Sequence, residues 1–157
     1  MRRAAILLFA TLAFLAPATA GAWTGSPSAL CRRLGTSDRL QQLPPSLVAK
    51  ATALFGLSAM PEEQIRRSTF FRCAGGYVLL CNVGANLPCG KANTSRHVAA
   101  ADRWCAARPG SDFIPMYVTG HDTVYRWRCA AGRATTIGRP WRVDRRGFIA
   151  RFWKRAD

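Results

Sequence analysis

The chain has 157 residues, carries 23 Lys and Arg against 8 Asp and Glu, and contains six Cys. This length favours one domain over two, and an apolar fraction of 49% with 20% charged residues excludes a disordered chain. The formal net charge of +15 points to an anionic partner but identifies no reaction.

The first 22 residues have the pattern of a secretory signal peptide. Arginines at positions 2–3 precede an apolar stretch over residues 4–15, and small residues then provide cleavage sites after Ala20 or Ala22. The apolar stretch is too short to span a membrane, which takes about 20 residues. The sequence therefore predicts an exported protein, periplasmic or secreted, with no transmembrane segment.

Beyond the signal peptide, the composition predicts an irregular arm over residues 23–43 and a single disulfide-bonded domain over residues 44–157. Two prolines at 44–45 suit the first turn of a helix, and apolar residues at helical spacing continue from there to Phe55. We expect this first helix to bury its apolar stripe in the core.

The hydrophobic pattern then changes from helical spacing to the period of two that is typical of strands. Residues 69–73 and 77–81 flank a pair of glycines and predict a β-hairpin. Residues 83–91 follow as a loop.

The second half of the chain predicts another helix and several short strands. Thr94 or Ser95 is placed to cap a helix that runs to Ala107. The expected strands cover residues 113–119, 123–129, 133–137, 141–144 and 148–153. Together these elements predict an α+β fold: an antiparallel sheet of short hairpins with two helices, cross-linked by three disulfides.

The six cysteines indicate disulfides rather than a metal site. None of their spacings gives the close C-x-x-C pair that a zinc site uses, and export places the chain in an oxidising compartment. We expect no metal and no cofactor. Many pairings are open, and among them we expect a Cys89–Cys105 bridge between the central loop and the following helix. The predicted disulfide cysteines are Cys31, Cys73, Cys81, Cys89, Cys105 and Cys129.

Two segments resemble a known group of proteins. Residues 81–89 read CNVGANLPC, and residues 119–129 read TGHDTVYRWRC. Both are similar to segments of small secreted bacterial proteins to which no activity is assigned, and the likeness covers about residues 60–153. The resemblance implies export and a disulfide-bonded domain, and it carries no catalytic residue across.

Residues with catalytic chemistry are few. His121 and Asp122 form the one adjacent pair of base and carboxylate, and His97 is the other histidine. A basic surface with two histidines resembles the logic of secreted ribonucleases, in which one imidazole takes a proton and another gives one. Lys91, ahead of the helix expected at Ser95, is a weaker candidate for holding an anion at a helix N-terminus.

The distribution of charge is the most informative feature. Residues 124–157 contain ten basic residues and two acidic ones, with aromatic residues between them. Arginine binds phosphate and carboxylate through two parallel hydrogen bonds and stacks on aromatic rings. The alternation of arginine with aromatic residues is also typical of a half-buried strand with a solvated face. The candidate anion-binding residues are Arg126, Arg128, Arg142, Arg145, Arg146, Arg151, Trp141 and Trp153.

Three functions remain open from the sequence. The leading hypothesis is a non-enzymatic binding module whose basic face engages an anionic envelope partner: lipid headgroups, an acidic polysaccharide or an acidic protein. The second is a protein inhibitor or interaction module acting through the 83–89 loop, with Asn86 and Leu87 as contact residues. The third is a small secreted hydrolase that uses His121.

Overall fold

The structure, a computed structural model, describes residues 25–84 and 88–156. This part of the chain confirms the α+β fold. It has five α-helices: α1 (Pro27–Leu34), α2 (Val48–Phe55), α3 (Glu62–Ser68), α4 (Ala99–Ala107) and α5 (Met116–Thr119). Its six strands are β1 (Ser37–Gln42), β2 (Thr69–Ala74), β3 (Tyr77–Asn82), β4 (Arg126–Ala130), β5 (Arg133–Gly138) and β6 (Lys154–Arg155). Short 3₁₀ turns precede α2 at Pro45–Leu47 and β6 at Ala150–Phe152.

The strands form two antiparallel sheets instead of the single sheet expected. The larger has the order β1-β2-β3-β6, and the smaller is the β4–β5 hairpin. The β2–β3 hairpin pairs in full register, from Thr69 with Asn82 to Ala74 with Tyr77. Its turn falls at Gly75 and Gly76, both with positive φ, as the glycine pair predicts.

Alternation along β2 and β3 gives the larger sheet two different faces. Phe71 and Leu80 point to one face, where they join a core built with residues of α1, α2 and α3. Phe70 and Leu79 point to the other face, where they pack with Phe148, Trp153 and neighbouring residues. The sheet therefore lies between a helical layer and the last part of the chain, residues 139–156, which we call the C-terminal segment.

A second core holds the smaller sheet. Trp127 and Cys129 of β4 point inward with Ala101 and Cys105 of α4, while Arg126 and Arg128, which alternate with them along the strand, are exposed. The predicted alternation of this strand is thus confirmed.

The described part of the chain also confirms all three disulfides but not the expected pairing. The bridges are Cys31–Cys73, Cys81–Cys89 and Cys105–Cys129. The expected Cys89–Cys105 bridge is wrong, because Cys105 lies on α4 and is bonded to Cys129 of β4, whereas Cys89 is bonded to Cys81 of β3. None of the helices in the described ranges is long and apolar enough to cross a membrane.

Three other local expectations are wrong. Residues 23–43 are not an irregular arm, since their described part contains α1 and β1. Residues 113–119 are not a strand, because Pro115 leads into the short helix α5. Neither Thr94 nor Ser95 caps the helix expected there, because this helix, α4, begins at Ala99 with Val98 as its N-cap. The side chain of Asn93 accepts a hydrogen bond from the backbone N–H of Ser95 and holds the preceding stretch in a turn.

The expected closing hairpin is present only in part. An isolated antiparallel bridge joins Val143 to Ile149, and a 3₁₀ turn follows it. The C-terminal segment is therefore mostly irregular backbone, and it is held both by the pairing of β6 with β3 and by side-chain contacts.

Candidate functional site

A buried arginine attaches the C-terminal segment to the larger sheet. Arg72 of β2 is 1% exposed, and its guanidinium pairs with the carboxylate of Asp144. The guanidinium carbon lies 4.1 Å from the ring centre of Phe148 and 4.6 Å from that of Trp153, so the cation packs against two aromatic rings that also contact each other. Its Nε and Nη1 atoms have no hydrogen-bond partner among the described residues, which makes the carboxylate of Asp144 its main polar partner.

Asp144 uses its other oxygen to shape the turn that follows. Its Oδ1 accepts hydrogen bonds from the backbone N–H groups of Arg146, at 2.8 Å, and Phe148, at 3.0 Å. One carboxylate therefore fixes the 144–148 turn and ties it to the sheet. The contacts of Asp144 therefore also position the residues on either side of this turn.

Three exposed arginines lie around the anchored turn. Arg142, Arg145 and Arg151 line an open depression of about 590 Å³ in the C-terminal segment. We call these three arginines, together with Trp141, the arginine face. Asp144 is the one acidic residue that lines this depression, and Arg72 already neutralises it.

Trp141 organises one side of the arginine face. The guanidinium carbon of Arg151 lies 4.5 Å from the ring centre of Trp141, and the ring packs in turn against Phe152 at 5.6 Å. Stacking leaves the outer N–H groups of a guanidinium free to donate. It also restricts the arginine side chain in advance, so that less side-chain entropy is lost when a ligand binds.

The same tryptophan lines a second, apolar depression. This groove, with a volume of about 440 Å³, lies between β4 and the 112–119 stretch. Its lining includes the buried side chains of Ile114, Tyr125 and Trp127. The sequence did not reveal the groove, because residues 113–119 were expected to form a strand and their side chains could not be placed.

The structure separates five of the six predicted arginines into three groups. Arg142, Arg145 and Arg151 share the depression just described, whereas Arg128 lies on the exposed side of the smaller sheet. Arg126 lines the apolar groove and lies against Gly138.

Two further predicted residues also lie outside the arginine face. Arg146 donates from Nε and Nη2 to the two carboxylate oxygens of Asp38, at 2.8 and 2.9 Å. Trp153 is buried against Arg72 and Phe148. Arg146 is thus paired with Asp38, and Trp153 belongs to the buried contacts around Arg72.

The Asp38 cluster also includes the lysine that the sequence singled out. The ammonium of Lys91 lies 2.8 Å from Asp38 Oδ2. The guanidinium of Arg146 and this ammonium lower the pKa of Asp38 from 3.8 to about 2. Lys91 is thus paired with a carboxylate, and the helix expected behind it begins several residues later.

The two histidines are not brought together as a catalytic pair. Nδ1 of His97 lies 3.3 Å from Asp102 at the start of α4, while His121 is exposed in a turn. No hydrogen bond joins His121 to Asp122 or to His97 in the described part of the chain. Asp122 instead lies over Gly120, whose φ of +91° requires a residue without a side chain.

The loop candidates lie partly beyond the structure. Asn86 and Leu87 fall outside the described residues, whereas the Cys81–Cys89 bridge that closes the loop is present and Val83 beside it is exposed. Across residues 25–84 and 88–156 no group of three or more His, Cys, Asp or Glu side chains is arranged to hold a metal ion.

Neither comparison of sequence nor comparison of structure adds a relative: no family model, curated protein or solved structure matches this chain.

Proposed function

We propose that the protein is an exported binding module that holds an anionic envelope partner at the arginine face, without catalysis. One observation carries the proposal: three exposed arginines surround a depression whose single carboxylate is already neutralised by a buried arginine. Surfaces that serve only solubility mix charges of both signs. Like charges grouped without acids cost stability through repulsion, which an anionic ligand removes.

The geometry suits phosphate or carboxylate groups. Each guanidinium can offer two parallel N–H donors to such a group, and Arg151 is held ready for this by the ring of Trp141. A basic side chain close to an anionic membrane surface contributes about 1 kcal/mol of attraction. Loss of all three arginines should therefore weaken binding on the order of 100-fold.

The test uses the oxidised protein recovered after export and its tryptophan fluorescence, because Trp141 lies at the site. Three probes distinguish the partner classes: vesicles of phosphatidylglycerol in phosphatidylcholine, alginate, and single-stranded nucleic acid, each at low and near-physiological salt. The variant Arg142→Ala/Arg145→Ala/Arg151→Ala is compared with the wild type.

A matched control removes the same number of charges elsewhere. Arg32, Arg33 and Arg103 are exposed and line none of the depressions described above, so their triple alanine variant changes net charge without touching the arginine face. Saturable binding that weakens with salt, and that falls in the first variant but not in the control, would support the proposal. Equal binding by the two variants, or binding to none of the probes, would overturn it.

The closed loop supports a second candidate, a protein-interaction module. The Cys81–Cys89 bridge restricts the loop in advance, so that less entropy is lost when a partner binds. In that case Asn86→Ala/Leu87→Ala should abolish capture of an acidic envelope protein, while the arginine-face variant retains it. The reverse pattern would exclude the loop.

A further inference from the structure

The apolar groove continues directly into the arginine face. Pro140 lines both depressions, and Trp141 lines the groove while its ring carries the guanidinium of Arg151. A hydrocarbon surface and a cluster of cations thus meet at one tryptophan.

The groove offers hydrocarbon contact rather than hydrogen bonds. The indole N–H of Trp127 donates to Oγ1 of Thr123 at 3.1 Å, and the backbone N–H of Tyr125 donates to the same oxygen at 3.3 Å. These two donors are therefore already satisfied within the protein, and the charged side chains of the lining, Asp112 and Arg126, are exposed. A sugar would find few partners on the buried wall, because its hydroxyl groups need donors and acceptors when they leave water.

The rim of the groove exposes apolar side chains that folding leaves uncovered. Phe113 is 64% exposed and Ile137 is 41% exposed, and both line the groove. Grouped apolar exposure beside a concave surface is typical of a ligand site. The volume of about 440 Å³ falls within the range of about 300–1,000 Å³ for small-molecule sites.

Charge sets the orientation of the ligand. The groove is lined by one exposed acid, Asp112, and one exposed base, Arg126, whereas the adjacent depression is lined by three arginines around a neutralised acid. An anionic headgroup is favoured in the depression, and an uncharged chain in the groove.

We infer that the groove takes the acyl chain of an anionic lipid whose phosphate lies on the arginine face. This inference rests on the proposed function and specifies its partner. The basic face alone would suit any anionic polymer, but the adjoining apolar groove adds a requirement that only an amphiphile meets.

The test uses hexyl, octyl and decyl phosphate as monomers, with inorganic phosphate as the headgroup without a chain. Burial of each methylene should tighten binding about fourfold, so octyl phosphate should bind about 15-fold more tightly than hexyl phosphate. The gain should stop once the groove is full.

Two exposed positions test where the chain lies. Phe113→Ser/Ile137→Ser should remove most of the dependence on chain length, whereas Leu34→Ser, an equally exposed apolar position on α1 away from the groove, should leave it unchanged. Both positions are solvent-exposed, so the substitutions spare the core.

The outcomes separate this inference from the proposed function. Binding that depends on Arg142, Arg145 and Arg151 but is equal for all chain lengths would overturn the acyl-chain site and leave the anion-binding module intact. Dependence on chain length that survives in the groove variant would place the chain elsewhere and also overturn the inference. Absence of binding to every phosphate would overturn the acyl-chain site, and saturable binding of alginate that depends on the three arginines would then leave the anion-binding module intact.

Discussion

The pair of Arg72 and Asp144 should dominate the stability of the C-terminal segment. Replacing Asp144 by Asn removes the negative charge but keeps an oxygen that can accept from the backbone N–H groups of Arg146 and Phe148. The variant therefore isolates the ion pair from the turn. Arg72 would be left as a buried cation without a counter-charge, held only by two aromatic rings.

The magnitude follows from the burial of the two partners. Breaking a buried ion pair by removing one member costs about 3–5 kcal/mol, since the remaining charge stays buried. Arg72 is almost fully buried, but the side chain of Asp144 is 26% exposed and water can partly replace it. We therefore expect a loss of about 3 kcal/mol, at the low end of that range.

Urea denaturation of the oxidised protein measures this loss. With a slope of about 2 kcal/mol per molar urea, the midpoint should fall by about 1.5 M without a change in slope. Asp38→Asn is the matched control: the chemical change is identical, but its partners Arg146 and Lys91 are more than half exposed. That substitution should cost no more than about 1 kcal/mol.

A double substitution distinguishes the ion pair from general damage to the core. Arg72→Met/Asp144→Asn removes both charges and keeps an apolar group against the rings of Phe148 and Trp153. It should therefore cost less stability than Arg72→Met and Asp144→Asn added together. If Asp144→Asn is no more destabilising than Asp38→Asn, or if the single effects simply add, the ion pair does not anchor the segment.

Three further predictions concern other parts of the molecule. Because the folded-state pKa of Asp38 is lowered from 3.8 to about 2, its stabilising effect is present above pH 4 and is lost as the pH falls towards 2. The difference in unfolding free energy between wild type and Asp38→Asn, measured by urea titration at each pH, should therefore shrink over that window. A constant difference would contradict the pairing. Removal of the Cys31–Cys73 bridge should cost about 4 kcal/mol of stability and removal of Cys81–Cys89 about 2.5 kcal/mol, because opening the longer loop gives the unfolded chain more entropy. Thermal unfolding of the two variants with paired serine substitutions tests this order, and the reverse order would refute it. Gly120→Ala should lower stability by about 1–3 kcal/mol, because its φ is +91° and the added methyl would lie 2.6 Å from Asp122; unchanged thermal unfolding would show that the turn can relax.

Elements with strong local signals were predictable from the sequence. Helix α2 follows an apolar stripe at helical spacing, and the β2–β3 hairpin combines two short runs rich in apolar residues with a glycine pair that the turn requires. The inward position of Trp127 between two exposed arginines followed from alternation alone. In each case the local preference and the tertiary environment agree.

Helix α1 was missed although its ends carry clear signals. Ser26 caps it through a hydrogen bond from the backbone of Ala29, Pro27 occupies the first turn, and Gly35 ends it with positive φ. The composition of small and polar residues led to the expectation of an irregular arm. Strand β1 has no such signal, since its polar residues form an edge strand that depends on pairing with β2.

The disulfide pairing and the apolar groove depend on contacts between elements far apart in the chain. Cys105 meets Cys129 only because α4 packs on the β4–β5 hairpin. The apolar run that begins at Phe113 is typical of a strand, yet Pro115 turns the chain into a short helix beside β4. Local periodicity cannot distinguish these outcomes.

Arg72 was the clearest signal that the sequence analysis did not use. It is the one charged residue in the strand Thr69–Ala74, between apolar neighbours on both sides. A charge at such a position is either exposed on an edge or buried with a counter-charge. In the described structure β2 is an inner strand, which leaves only the second possibility.

The placement of the acidic residues explains why the arginine face is uncompensated. Asp38, Glu63, Asp102 and Asp144 each pair with a cationic group or a histidine, and those partners are Lys91, Arg146, Arg66, Arg67, His97 and Arg72. None of these partners belongs to the arginine face. Asp144 even lies in the same depression, but it is turned inward to anchor the segment. The Arg72–Asp144 ion pair thus helps to hold the C-terminal segment in place and also neutralises the one acid beside the arginine face. The stability of the segment and the positive charge at its surface therefore have one structural cause.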